Sequence, residues 1–314
     1  MPLISIITPV FNGSRYLPAT LDSIIAQTER DWECIVVNDG SKDNTWEIIQ
    51  EFMRRDPRIR GFNCANRGAA EARNFGVTQS SPDSKYIIFM DSDDLFTPDA
   101  LSTLATAAAA NPQMVGSHGL PAYINGTGKP LDPAVPIDFC RNRIGVRGRH
   151  IVPIPIDEPT DLGVLLADGL HPPGLFLVRR DIVQRIGPMD PTLWPANDWD
   201  YWIRAARLGV FAFVNKVIVH YRQHSSNATT NWDITFEMTR KVRYKSFYSD
   251  QNTPAQKDLM RDYYLAWNKH KIHEKWPEFR AAIRRGQITR AATLACHIAA
   301  HRYCIIRGYP TLRA

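Results

Sequence analysis

The chain has 314 residues, 44% of them hydrophobic, enough for a sizeable core, which excludes a disordered or fibrous protein. Its formal charge of +6 is uneven: residues 235–314 hold 16 Lys+Arg against 6 Asp+Glu, while the remainder is mildly acidic. Five cysteines, Cys34, Cys64, Cys140, Cys296 and Cys304, are odd in number and lack metal-ligand spacing, a pattern that argues against a disulfide-stapled secreted domain and fits a reducing, cytoplasmic setting.

The run from Ile4 to Thr8 reads as a first strand, not a signal segment. Leu17, Leu21, Ile24 and Ile25 recur at helical spacing, and Cys34 to Val37 gives a second strand. Trp46, Ile49, Phe52 and Met53 mark the next helix face. A short run around Phe62 follows, then an Ala-rich helix from Ala69 to Val77, a strand from Tyr86 to Met90 and a helix opened by Pro98. Apolar strands separated by helices predict an α/β fold with a mostly parallel central sheet flanked by helices. Between Gly119 and Pro173, proline and glycine break the periodicity, and Arg141, Arg143, Arg147 and Arg149 form basic patches, so a loop-rich insertion is expected. Order returns with a strand at Leu175 to Val178, a helix ending near Gly187, a helix from Asp198 to Leu208 and a strand from Val210 to Val219. Beyond Asp233 the chain reads as helical, aromatic and basic. No apolar run approaches the length of a membrane-spanning helix.

In such sheets the working crevice lies at the strand ends. Three exits carry small or acidic residues: Thr8-Pro9-Val10-Phe11-Asn12-Gly13, Asn38-Asp39-Gly40-Ser41 and Asp91-Ser92-Asp93-Asp94. The last places three carboxylates in four positions. Their mutual repulsion is relieved by a cation, and hard oxygen ligands suit Mg²⁺ or Mn²⁺, which also accept a diphosphate; the alternative is a solvent-facing turn that caps the next helix. Asp39 is placed to receive hydrogen bonds from a base or ribose, while Ser41 and Asp43 compete to cap the helix near Thr45. In Asn66-Arg67-Gly68 and Arg73-Asn74, the guanidinium groups of Arg67 and Arg73 are within reach of a phosphate or carboxylate, with surface solvation as the alternative. In Asn197-Asp198-Trp199-Asp200, the two aspartates are two apart and do not share a helix face, so one points into the crevice and the other caps or solvates. A carboxylate at that helix start can act as a general base. Trp199 and Trp202 either pack or offer a face to a sugar, with packing favoured for Trp202. His224 is a candidate nitrogen ligand or diphosphate contact. Gly-x-Gly-x-x-Gly, P-loop and His-Glu-x-x-His motifs are missing, which removes the best markers of dinucleotide, P-loop and zinc-hydrolase chemistry.

These blocks resemble the family-2 glycosyltransferases of GT-A fold. The resemblance is carried by Ser5 to Asn12, Asp22 to Thr28, Val36 to Thr45, Asn66 to Asn74 and Phe89 to Asp94, in that order. It implies a nucleotide-diphospho-sugar donor contacted by Thr8, Pro9, Phe11, Asn12, Asp39, Asn66, Arg73, Asp91 and Ser92. It also implies a divalent cation (Mn²⁺ or Mg²⁺) on Asp93, with Asp91 and His224 nearby, and Asp198 as the catalytic base of an inverting transfer. The family's acidic pair falls on Asn197-Asp198, so its first charge is replaced here by an amide. Asp94, Trp199 and Asp200 are acceptor-side candidates. The implied layout is a GT-A catalytic body over residues 1–234, split into a nucleotide-sugar-binding half (1–118) and an acceptor-side half (119–234), with a basic helical region at 235–314. Expected partners are a saccharide or lipid-linked acceptor, with an anionic membrane surface or a second copy of the chain meeting the basic region; no nucleic acid is expected. A sugar-nucleotide nucleotidyltransferase would share the metal and the sheet but leave the Asp198 motif unexplained.

Overall fold

The computed structural model describes residues 3–131, 142–167, 172–225, 227 and 232–307. The chain opens with β1 (Ile4–Val10), α1 (Leu17–Ile25), β2 (Trp32–Asp39), α2 (Thr45–Arg55), β3 (Ile59–Cys64), α3 (Ala69–Gln79) and β4 (Tyr86–Phe89). β1, β2 and β4 are buried along their whole length, as strands covered on both faces must be. α2 is amphipathic by necessity: Ile49 and Phe52 face the core, Glu47 lies in the first turn, and Arg54 and Arg55 complement the dipole in the last.

β5 (Leu95–Phe96), α4 (Ala100–Ala109) and β6 (Met114–Asn125) follow, then a hairpin of β7 (Ile144–Arg147) and β8 (His150–Pro153). After α5 (Leu162–Ala167) come β9 (Phe176–Arg179), α6 (Arg180–Ile186), α7 (Asn197–Ala206) and β10 (Val210–Gln223). The main sheet has the order β3-β2-β1-β4-β9-β6-β10-β5, and every strand except β9 and β5 runs the same way. The architecture is therefore the mostly parallel α/β sheet expected.

Strand order explains where a site can form. From β1 the chain steps to β2 and β3 on one side, then crosses to β4 on the other. Ile7 is thus flanked by Ile35 and Phe89. Connections leaving β1, β2 and β4 diverge at this switch point and open a crevice beyond the strand ends.

Two expectations need correction. β6 is a central strand of 12 residues, Met114–Asn125, that runs into the start of the region expected to be loop-rich. Its sequence is interrupted by glycine and proline for a packing reason: a Cβ at Gly116 would lie 2.0 Å from the Leu177 carbonyl oxygen. The basic patch also dissolves on folding. Arg143 is buried, donating to Thr160 Oγ1 and the carbonyls of Pro155 and Glu158, while Arg147 pairs with Asp161 and Arg149 with Asp262. Arg141 and Cys140 lie outside the described residues.

The C-terminal part is helical: α8 (Trp232–Phe247), α9 (Pro254–Arg284) and α10 (Ile288–Arg307). Thr253 and Gln256 form a capping box at the start of α9, with Pro254 in its first turn. α8 runs through the expected 234/235 boundary, and its Val242 joins the main core with Met260 and Tyr263 of α9. Further along, Ala282, Ala291, Leu294 and Phe279 form a separate small cluster between α9 and α10. Among the described residues, no helix is long and apolar enough to cross a membrane.

Candidate active site

A cleft of about 510 Å³ opens at the switch point, lined among others by Pro9, Phe11, Asp39, Arg73, Asp91, Ser92, Asp93 and Asp198. The four carboxylates lie at the ends of β2 and β4 and at the start of α7, so elements far apart in sequence share one wall.

Asp39 ends β2 with both oxygens engaged. They accept the backbone N–H groups of Arg67 and Gly68, each at 2.8 Å, while the Asn66 side chain donates to the Asp39 carbonyl. Gly40 then turns with φ 74°, and a Cβ there would meet the Asn66 backbone nitrogen at 2.8 Å. Glycine is what lets β2 end against this loop. Asn66 thus braces the end of β2, while Asp39 itself lines the cleft.

The β1 exit is tied down differently. Asn12 adopts φ 51°, donates its N–H to Ser41 Oγ and accepts the Lys42 N–H on its side chain. Its amide braces two loops, while Phe11 stands 52% exposed at the cleft mouth. Thr8 departs from expectation. Its side chain is fully buried against Cys34 Sγ because strand alternation sends it inward while Pro9 faces the cleft. Burial pushes the Cys34 thiol up to about 12, so it is inert.

At the β4 exit the carboxylates divide the work. Asp91 pairs with the buried Arg73 at 2.5 Å. Asp93 Oδ2 lies 2.8 Å from His224 Nε2, and the imidazole stacks on Tyr16 with ring centroids 4.9 Å apart. Burial, then the charge of Asp91, raise the Asp93 carboxyl above the usual range, and the His224 contact offsets part of this. The Ser92 carbonyl accepts from Thr20 Oγ1. Among the described residues, no three His, Cys, Asp or Glu side chains group closely enough to hold a metal ion by themselves.

Asp94 is not on the acceptor side. It is completely buried, its Oδ1 accepting the Arg222 N–H at 2.8 Å, and burial together with Asp93 and Asp91 holds its carboxyl well above the ordinary value. Arg222 also donates to the Asp93 carbonyl. Asp94 and Arg222 therefore fasten β10 to the loop that follows β4 and set the position of His224.

At the start of α7, Asp198 reaches the cleft and accepts the Trp199 N–H at 2.7 Å. Burial pushes its carboxyl up to about 7; Arg73 and the Trp199 N–H pull it down, and Asp91 adds to the rise. Asp200 points the other way, as the two-residue offset requires, and is buried between Arg204 and Lys245. Trp199 donates its indole N–H to the Leu165 carbonyl from within the core, and Trp202 stacks on Phe176. Asp200 and Trp199 are therefore scaffold, which corrects their acceptor-side assignment: α7 turns Asn197 and Asp198 toward the cleft and buries the two side chains that follow. Besides Phe11, the cleft is lined by Tyr123, Tyr221 and the 44%-exposed Trp194. Sequence reasoning passed over Trp194 because it lies in a short 3-10 turn region without periodicity.

Comparison with known proteins gives the family and the fold. The profile of "Glycosyl transferase family 2" covers residues 5–186, more than half of the chain. An uncharacterized glycosyltransferase of Rickettsia bellii is 36% identical over 162 residues, 52% of this chain and 22% of that protein. Glycosyltransferase GlyA of Streptococcus pneumoniae is 45% identical over 101 residues, 32% of this chain and 14% of that protein. The chain thus spans less than a quarter of the length of these two relatives. Among solved structures, S. aureus TarS 1-349 in complex with UDP-GlcNAc superposes with a TM-score of 0.64 at 15% identity, covering 99% of this chain and 90% of that one. Mannosyltransferase PcManGT from Pyrobaculum calidifontis, in complex with GDP-Man and Mn²⁺, gives 0.60 at 17% identity, covering 98% and 84%. At such identities the likeness is one of fold, the GT-A type. With the profile match, the ordered strand-exit motifs and the shared architecture in hand, the chain belongs to glycosyl transferase family 2.

Proposed function

We propose that this protein transfers a sugar from a nucleotide-diphospho-sugar to an acceptor hydroxyl, on a saccharide or lipid-linked acceptor, with inversion at the anomeric carbon and with a divalent cation. The observation that carries this reading is the convergence of Asp39, Asp91, Asp93 and Asp198 on one cleft beside Arg73. Complexes of the fold neighbours with UDP-GlcNAc and with GDP-Man and Mn²⁺ support the donor class and the cation.

The residues present fit such a cation. Asp93 and His224 face each other at 2.8 Å, and burial with the neighbouring Asp91 charge disfavours an ionised Asp93 unless positive charge joins it. Among the described residues this is a pair and not a larger ligand cluster, which suits Mg²⁺ or Mn²⁺, ions commonly held by one or two carboxylates plus substrate phosphates. Asp93 and His224 would hold the ion, which when bound neutralises the diphosphate leaving group.

The chain's own groups do the rest. Pro9, Phe11 and Asp39 border the space for a base, and Arg73 keeps Asp91 oriented toward the donor side. Trp194 and the tyrosines offer faces for an acceptor sugar. Asp198 serves as general base. The acceptor oxygen forms a bond to the anomeric carbon as the bond from that carbon to phosphate oxygen breaks. The nucleoside diphosphate departs with the electron pair, and the acceptor proton passes to the Asp198 carboxylate. A base whose affinity for a proton lies near neutrality is matched to this task.

The test is the stereochemistry of a single turnover, read by proton NMR at the anomeric position. An α-linked donor should give a β-linked product. Retention of the donor configuration would contradict a single displacement.

A further inference from the structure

The long helix α9 has 31 residues, about 46 Å at the usual rise. Its first part packs on the body through Met260 and Tyr263, whereas its far end packs on α10 in the small cluster of Ala282, Ala291, Leu294 and Phe279. The two helices therefore form a hairpin, turned at Gly286 with φ 65°. Its tip carries Ile283 at 58% and Ile288 at 81% exposure. On α10, Ile288, Ala292, Ala295, Ala299, Tyr303 and Ile306 follow one another at intervals of four, three, four, four and three, and all six are exposed. That spacing draws one apolar stripe along the helix, separate from the stripe of Ala291, Leu294 and Ile298 that packs inward.

Charge says what fits against it. After Glu278 the sequence contains no Asp or Glu; Arg290 pairs with Glu278, while Arg280, Arg284, Arg285, Arg302 and Arg307 also lie on or beside the hairpin. Self-association of two such faces would bring arginines together, whereas an anionic surface would neutralise them. Exposed isoleucines beside basic residues on a helix of modest hydrophobicity suit the headgroup level of a bilayer, where arginine heads reach phosphates and apolar side chains enter the acyl boundary. We infer that the α9–α10 hairpin is a peripheral anchor for an anionic lipid bilayer, lying on it through the Ile288–Ile306 stripe with the arginine-bearing tip against the headgroups. This goes beyond glycosyl transfer and does not depend on it.

The full chain should float with phosphatidylcholine vesicles containing phosphatidylglycerol, at low salt, and not with pure phosphatidylcholine. Replacing Ile288 and Ile306 together by serine should weaken binding at least about tenfold, as expected for loss of two partly buried isoleucines. Replacing Arg284 and Arg285 by glutamine should cost about fivefold each. Both positions are exposed, so circular-dichroism melting should be unchanged and folding can be checked separately. Three results would overturn the inference: failure of the wild-type chain to float with the anionic vesicles, flotation equal to that of the variants, or equal binding to pure phosphatidylcholine. A dimer by light scattering that the isoleucine replacements dissolve, with no lipid binding, would assign the face to a second copy instead.

Discussion

Asp198→Asn should lower kcat about 10²- to 10⁴-fold, the usual worth of a positioned general base, or roughly 3–5 kcal/mol of barrier. Donor KM should change little, because the loss falls on the transition state. The substitution isolates the proton-accepting role. An asparagine keeps the shape and can still accept the Trp199 N–H that Asp198 now holds at 2.7 Å. The wild-type pH profile should agree: burial pushes the Asp198 carboxyl up to about 7, so the unprotonated base is lost as pH falls through that value and kcat/KM falls with it. Stability runs in the opposite direction. A carboxyl raised in the folded state binds its proton more tightly there than in the unfolded chain, so the ionised side chain destabilises the fold as pH rises from the ordinary carboxyl range toward 7. Asp198→Asn should therefore raise Tm at pH 8 and leave it nearly unchanged at pH 4. A variant that loses donor affinity in parallel with kcat would move Asp198 from the acceptor side to the donor site.

Asp93→Ala should reduce kcat/KM at least about 100-fold, near 3 kcal/mol, by removing the carboxylate beside His224 that is proposed to hold the cation. Added Mn²⁺ should not rescue it. The structural cost should be small, because Asp93 is at a cleft edge and its backbone carbonyl, which Arg222 grips, remains. Thermal unfolding reads stability separately, and full turnover at saturating cation would remove Asp93 from the ligand set. The contrast with Asp94 is instructive. That neighbour is completely buried, and one of its oxygens has no partner among the described residues; it holds β10 in place and does not touch the cleft.

The parallel half of the fold was legible because its strands are apolar on both faces, so Ile4 to Val10 and Cys34 to Val37 announce themselves without context. The site was legible at backbone resolution: each strand exit was identifiable, and the structure does bring Asp39, Asp91, Asp93 and Asp198 to one cleft. Side-chain direction was not. Thr8 and Pro9 are adjacent, yet only a paired strand decides which faces inward; Trp199 and Asp200 look functional until α7 is packed against α5 and α8. β6 escaped notice because Gly116 and Pro121 are breakers by local propensity, whereas the close approach of the Leu177 carbonyl makes glycine a requirement. Arg143 looked like surface charge because nothing in a linear pattern reveals the three oxygen acceptors that fold around its guanidinium. Tertiary contacts, not local sequence, made each of these choices.

The central claim is that this acidic cleft accepts a nucleotide-diphospho-sugar together with a cation. Thermal unfolding in the presence of UDP- and GDP-sugars, with and without Mn²⁺, measures it directly. At least one donor should raise Tm only when Mn²⁺ is present, and Asp93→Ala should abolish that rise. Stabilisation by none of the donors, or an equal rise without the cation and in the variant, would contradict the account.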